Sequence, residues 1–173
     1  MQIIYKTALT ALFLCLSIVL LSGQNTAPGL PQRSATVMAT QAMHFGDITV
    51  VQGSSGGTVT VDHNGMRSAT GNVLLLNMGN IPRQAIFEFK LCPGRIVSFN
   101  FPPFINLTGQ NGGTIKLELG QTNYGTNGST FISNKGCDDI HLIHLGGTIE
   151  VNDISTHPGG LYTGTFNITF IQQ

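Results

Sequence analysis

The densest cluster of side chains that could do chemistry lies between Cys137 and His144, where two aspartates and two histidines accompany the cysteine. Cys, Asp and His are residue types that ligate transition metals. Residues three apart in a strand point to opposite faces, so His141 and His144 would not bind one ion together, although Asp139 and His141 would share a face. The apolar residues between them favour a strand. We therefore predict no metal site here and expect both histidines at the surface or at a sheet edge.

The serines and carboxylates form no recognisable catalytic pattern. The segment Gly53–Gly57 contains two serines, but it reads as a turn between strands and not as the strand-to-helix elbow of a serine nucleophile. It also lacks the lysine of a phosphate-binding loop. Glu88, Glu118 and Glu150 each lie among apolar residues in strand-like segments and are expected to face solvent. The sequence thus predicts a protein that is not an enzyme and needs no cofactor.

The first residues have the features of a targeting segment. Lys6 precedes an apolar run over 8–21, and Ser22 and Gly23 follow it. A positive charge, a short apolar stretch and small residues describe a secretory signal peptide, whereas a membrane-spanning helix needs about 20 apolar residues. We predict a signal peptide over 1–23, with cleavage after Gly23 or as late as Ala27, then a flexible leader over 24–33 and one domain over 34–173. The mature chain is expected to be exported and to have no membrane span.

Two cysteines remain after removal of the predicted signal peptide, Cys92 and Cys137. An even pair in an oxidising compartment indicates a disulfide. Two free thiols are the less favoured interpretation, and no CxxC spacing points to a metal.

Charge is scarce and balanced. The 173 residues include 8 basic and 8 acidic side chains, so that 9% of the chain is charged and its net charge is zero. A nucleic-acid-binding protein would carry a basic surface, and attachment to an anionic membrane surface would need a polybasic segment. We therefore predict neither partner. The 22 glycines suit a protein of short strands joined by turns.

Most of the chain alternates between apolar and polar residues with a period of two. Clear examples are 58–62, 85–91, 96–101 and 114–119, and we also expect short strands over 140–145 and 148–151 on either side of a Gly-Gly pair. No window outside the signal peptide has apolar residues at helical spacing. The pattern predicts an all-β fold, an immunoglobulin-like antiparallel β-sandwich of eight to ten strands, with a barrel as the alternative.

The end of the chain has the cleanest strand pattern, over 162–171. One face is apolar and the other is polar. The residues on the apolar face are Tyr162, Phe166, Ile168 and Phe170.

Several short motifs resemble a secreted bacterial family, the domain of unknown function DUF4402. Their order and spacing cover about 35–171. The resemblance implies export from a bacterium, an immunoglobulin-like fold and no known chemistry. Cys92 and Cys137 are not part of the family pattern. The motifs are Phe45-Gly46-Asp47-Ile48, Gly57-Thr58-Val59-Thr60-Val61, Gly65-Met66-Arg67, Leu145-Gly146-Gly147-Thr148-Ile149-Glu150-Val151 and Pro158-Gly159-Gly160-Leu161-Tyr162-Thr163-Gly164.

The two ends of the domain also look similar to those of fimbrial subunits, which expose a sheet edge that a neighbour fills by adding a strand. The candidate donor is Ser34–Ala42, with Val37, Ala39 and Gln41 on one face. The terminal strand is the candidate acceptor, and the partners would be other copies or related subunits. The alternative is that 34–42 is the first strand of a self-contained domain, since most proteins cover their sheet edges.

Two functions follow as hypotheses. The first is an exported, non-catalytic structural or adhesive component of the cell surface, of fimbrial type and assembled by strand exchange. The alternative is a secreted module that binds a glycan or another surface ligand through the loop 120–134, where an exposed Tyr124 would stack on a sugar ring.

Overall fold

The protein is described here by a computed structural model covering residues 36–172, which contain thirteen strands and no helix. The predicted signal peptide and flexible leader lie outside the described residues. No segment in the described range forms a helix suited to crossing a membrane. The strands are β1 (Thr36–Gln41), β2 (Asp47–Val50), β3 (Gly57–Val61), β4 (Arg67–Gly71), β5 (Val73–Leu76), β6 (Ala85–Lys90), β7 (Ile96–Asn100), β8 (Phe104–Gly109), β9 (Thr114–Thr122), β10 (Thr130–Ile132), β11 (Ile140–Val151), β12 (Tyr162–Thr163) and β13 (Thr169–Gln172).

Every strand pair is antiparallel, and the strands form a large sheet and two smaller ones. The large sheet runs β1-β6-β11-β9-β8-β12, with β3 joined to β11 and β4 joined to β3. A three-stranded sheet runs β10-β7-β13, and β2 pairs with β5. The all-β sandwich is confirmed. Its thirteen strands exceed the predicted eight to ten because short strands with little apolar alternation, such as β4 and β10, form through pairing with their neighbours.

The core lies between the large sheet and the three-stranded sheet. Phe89 of β6 is fully buried, and its ring lies 6.0 Å from that of Phe131 in β10 and 5.5 Å from that of Phe170 in β13. Phe99 of β7 and Ile143 of β11 are likewise buried. Burying an aromatic ring of this kind contributes about 2–3 kcal/mol, so these contacts hold the two layers together.

The segment 140–151 is one strand and not the two that the sequence predicts. Its first half pairs with β6 and its second half with β3, and a bulge between Leu145 and Gly147 on the β9 side marks the change. Glycine permits this bend because a side chain would collide: a Cβ on Gly146 would lie 2.6 Å from the carbonyl oxygen of Val61. The Gly-Gly pair therefore bends the strand without ending it.

The predicted continuous strand over 162–171 is wrong in its middle. β12 pairs with β8 at the edge of the large sheet, and β13 pairs with β7 in the three-stranded sheet. Residues 164–168 cross from one sheet to the other and pair with no strand that the structure describes. The predicted apolar face is nevertheless confirmed. All four of its residues are partly buried against the core: Tyr162, Phe166, Ile168 and Phe170.

Candidate functional site

An apolar groove separates β1 from the end of the chain, and we call it the terminal groove. Its volume is ≈ 450 Å³. One wall is β1, the other is the terminal segment, and Phe87 of β6 lies between them. No charged side chain lines it. The lining residues are Val37, Ala39, Phe87, Phe166, Asn167, Ile168 and Phe170.

The terminal groove continues into a larger cleft, which we call the inner cleft, of ≈ 870 Å³. Residues 39–48 form one wall and residues 160–166 the other. Aliphatic side chains from β8, β9 and β11 form the floor, among them Leu107, Leu117 and Ile149. Residues 164–168 pair with no described strand, and several of them line the inner cleft or the terminal groove. Their peptide groups therefore lie beside apolar space.

β1 is the edge strand of the large sheet and pairs with β6 alone. The register runs from Thr36 opposite Lys90 to Ala39 opposite Phe87, and a bulge follows before Gln41. Val37 and Ala39, which the sequence places on one face of this strand, both line the terminal groove. Gln41 lies beyond the bulge at the wall of the inner cleft, where its Nε2 donates to the Gln84 carbonyl at 2.7 Å. In this structure the candidate donor segment is therefore the first strand of its own domain.

Arg67 holds the segment Phe45–Asp47, which lines the inner cleft, a role that the sequence analysis did not assign. Its Nη1 donates to the carbonyl oxygens of Phe45 (3.1 Å) and Asp47 (3.2 Å). Its Nη2 donates to the Leu76 carbonyl and to Asn77 Oδ1, each at 3.1 Å. Gly46 lies between the first two acceptors with a φ of 74°, and a Cβ there would collide with Nη1. One guanidinium thus ties the start of β2 to the end of β5.

Replacing Arg67 with alanine should lower the free energy of unfolding by about 2–3 kcal/mol, because half-buried acceptors lose a charged donor. Arg67→Lys should lose most of the same stability, since lysine lacks the planar fork. Lys116→Ala is the control: its ion pair with Glu118 is exposed, so the cost should stay below about 1 kcal/mol. Urea denaturation measures all three variants, and equal effects at positions 67 and 116 would contradict this account.

His141 is buried, which corrects the expectation of a surface histidine. Its side chain is 1% exposed and lies against the rings of Phe89 and Phe131. Ser133 Oγ donates to the Leu91 carbonyl at 3.0 Å, so it accepts from His141 Nε2, 2.9 Å away. A serine whose proton is engaged in this way is not activated as a nucleophile. The pair therefore satisfies polar groups inside the core.

Stability should fall as the pH drops below about 6.5, the usual pKa of histidine. Burial lowers the pKa of His141, the nearby Lys135 lowers it further, and Asp139 raises it. Below 6.5 the unfolded chain binds a proton that the folded chain does not, so the free energy of unfolding decreases by up to about 1.4 kcal/mol per pH unit until the lowered pKa is reached. Urea titrations of the wild type and of His141→Gln between pH 7.5 and 5 measure this. The variant should lose this part of the slope, and an unchanged slope would contradict the assignment.

The other candidate ligands and acids are not brought together. His144 lies on the opposite face of β11 from His141, as the strand pattern predicts, and its Nε2 is buried with no hydrogen-bond partner among the described residues. Between residues 36 and 172 no group of three or more His, Cys, Asp or Glu side chains could hold a metal. Glu118 pairs with Lys116 at 2.7 Å on an exposed face. The predicted disulfide between Cys92 and Cys137 is present.

Tyr124 is half-buried, whereas the sequence predicted an exposed ring in the loop 120–134. The ring stacks on Phe131 with a centroid distance of 4.2 Å, and burial raises the pKa of its hydroxyl. β9 extends to Thr122, and a tight turn closes when the Thr122 amide donates to the Gly125 carbonyl at 2.8 Å. One ring face therefore packs on the protein and is not available to a sugar.

Residues of three of the motifs singled out in the sequence line the inner cleft. Phe45 and Gly46 belong to one wall, and Gly160, Tyr162 and Gly164 belong to the other. The family described as "Domain of unknown function (DUF4402)" matches residues 35–171. The chain belongs to the DUF4402 family. Neither the curated proteins nor the solved structures contain a match to it.

Side chains and glycines of the DUF4402 motifs hold the walls of the inner cleft in place, mainly through contacts with backbone atoms. Arg67 links two of them by donating to the carbonyls beside Gly46. Tyr162 Oη donates to the Pro158 carbonyl at 2.8 Å within a third. Gly164 permits close approach, because a Cβ there would lie 2.8 Å from Leu107 Cδ2. The DUF4402 motifs of this chain thus shape the two walls of the inner cleft.

Proposed function

We propose that this protein is an exported, non-catalytic structural or adhesive component of the cell surface, and that copies assemble by strand exchange as fimbria-like subunits do. The observation that carries the proposal is β1, an edge strand that pairs with β6 alone and faces an apolar groove. A sheet edge beside an apolar groove accepts an extended strand, because the backbone pairs with the edge and alternate side chains fill the groove.

The way β1 is held supports the same proposal. β1 pairs on one side only, and its side chains remain accessible: Val37 is 38% exposed and Met38 is 60% exposed. Removing such a strand from its own domain therefore exposes little apolar surface that was buried. A neighbour's strand in the same place would recover that burial.

Export is supported by the signal-like start of the chain and by the disulfide, because disulfides persist mainly in oxidising compartments. A non-catalytic role is supported by the dispersed carboxylates and by the engaged proton of Ser133. The alternative of a glycan-binding loop is less favoured, because Tyr124 uses one ring face to pack on Phe131.

Deleting Ser34–Ala42 should abolish assembly and leave a folded domain, because the deletion removes the exchanged strand and keeps the core between the sheets. Light scattering reports the assembly, and circular dichroism with urea denaturation reports the fold. The matched control deletes 24–32, which shortens the predicted leader and should leave assembly intact. Assembly that persists without 34–42 would contradict the strand-exchange proposal.

A further inference from the structure

β1 has a defined place on β6, and that place can be filled by any copy of the same strand. Four consecutive residue pairs fix the register, from Thr36 opposite Lys90 to Ala39 opposite Phe87. The Thr40 hydroxyl then donates to the Ile86 carbonyl, and the Gln41 amide donates to the Gln84 carbonyl. A β1 from a second copy would make the same contacts, which is why exchange of an identical element has a low cost.

The chain provides a short hinge directly after β1. His44 and Arg83 exchange two backbone hydrogen bonds of 2.8 Å, and Arg67 holds the carbonyls of Phe45 and Asp47. These contacts fix the chain from His44 onward to the body of the domain. Ala42 and Met43 lie between the last hydrogen bond of β1 and this anchor, and Met43 packs against the core. A change in the backbone at Ala42 would therefore swing β1 away.

The other segment that could serve as donor is the predicted leader, and its sequence is poorly suited. Pro28 and Pro31 have no amide proton to donate to a sheet. Polar and small residues dominate 24–35, whereas β1 presents Val37 and Ala39 to the terminal groove. The apolar face needed to cover Phe87, Phe166 and Ile168 is thus present in β1.

We infer that β1 is exchanged between copies of this chain, and that the donated β1 re-forms its register on β6 of the acceptor with Val37 and Ala39 in the acceptor's terminal groove. This inference rests on the proposed function. It specifies β1 as the donated strand, β6 as the acceptor strand and a second copy of the chain as the partner. Each copy donates one strand and accepts one. Two copies that exchange β1 reciprocally form a closed dimer, and copies that each donate to the next form an open filament or a closed ring.

Cysteine pairing tests the inference, because Met38 and Glu88 are directly opposite in the register. Paired residues on adjacent strands have Cα atoms about 4.5–5.5 Å apart, which suits a disulfide. We would co-express two full-length chains with different affinity tags, one carrying Met38→Cys and the other carrying Glu88→Cys. The assembled fraction would then be analysed without reductant. Exchange predicts a reductant-sensitive species that contains both tags.

The control is the pair Thr58→Cys and Thr70→Cys on separate chains. These residues are opposite each other on β3 and β4, with hydroxyls 2.7 Å apart, and they belong to the body of the domain, so no species with both tags should form. An assembled fraction with no bond between positions 38 and 88 would overturn β1 exchange and leave assembly itself standing. A failure of the wild-type chain to assemble at all would contradict the proposed function, and this inference with it.

Discussion

Replacing Cys92 and Cys137 together by serine should lower the free energy of unfolding by about 4 kcal/mol, one of the two largest effects expected for this protein. The bond joins positions separated by 45 residues, and closing a loop of that length restricts the unfolded chain by about 4 kcal/mol. The disulfide follows the end of β6 and precedes the start of β11, next to the pair Lys90 and Ile140. It therefore fixes the end of the β6–β11 ladder that also carries the first residues of β1.

Urea denaturation of the double variant measures this loss, with wild-type protein in reductant as a second route to the same state. Cys15→Ser is the matched control, since Cys15 lies in the predicted signal peptide and should leave the mature domain unchanged. A loss below about 1 kcal/mol would mean that the bond adds little to stability.

Replacing Val37 by aspartate should abolish assembly, the second large effect. Val37 faces the terminal groove with Phe166, Ile168 and Phe170, so a carboxylate there would be placed against apolar side chains in every copy that accepts the strand. Val37 is 38% exposed, so the added carboxylate is only partly desolvated, and its cost of about 1–3 kcal/mol is set against the small apolar burial that holds β1 by one edge.

Met38→Lys is the control, because Met38 lies on the same strand, is 60% exposed and is directly opposite Glu88, whose carboxylate would attract the added charge. Light scattering should show assembly of the Met38 variant and not of the Val37 variant, while circular dichroism shows both folded. Equal assembly of the two variants would contradict a role for the groove-facing side of β1.

Some of the fold follows from local sequence. Alternation over 85–91 and 96–101 predicts strands, and both form with Phe89 and Phe99 in the core. The single strand over 140–151 was not predicted, because Gly146 and Gly147 suggest a break when each residue is judged alone. Their actual role depends on a carbonyl of β3, a distant segment that the local pattern does not contain.

The end of the chain shows the same limit. Alternation over 162–171 correctly places Tyr162, Phe166, Ile168 and Phe170 on one face. It does not show that the pairing changes from β8 to β7, because pairing partners are long-range properties of the fold. The unpaired stretch, and with it the continuous groove, could be seen only once both sheets were in place.

The site residues divide in the same way. The disulfide could be predicted because an exported chain with two cysteines is expected to oxidise them. The shared face of Val37 and Ala39 could be predicted from the two-residue period of a strand. Burial of His141 does not, since a histidine among apolar residues can face either side until its partner Ser133 is known. Arg67 could be noticed in the sequence as the one charged residue of a Gly-x-Arg motif. Its four acceptors could not, because they lie 9, 10, 20 and 22 residues away.

Hydrogen exchange of β1 in the purified mature protein, read together with its mass by light scattering, tests strand exchange most directly. Exchange of β1 predicts multimers in which the amides of 37–41 that bond to β6 are protected, together with a monomer in which the same amides exchange much faster than those of the buried strand β11. A protein that is only monomeric, with 37–41 as protected as β11, would show that β1 stays in its own domain and would contradict the account.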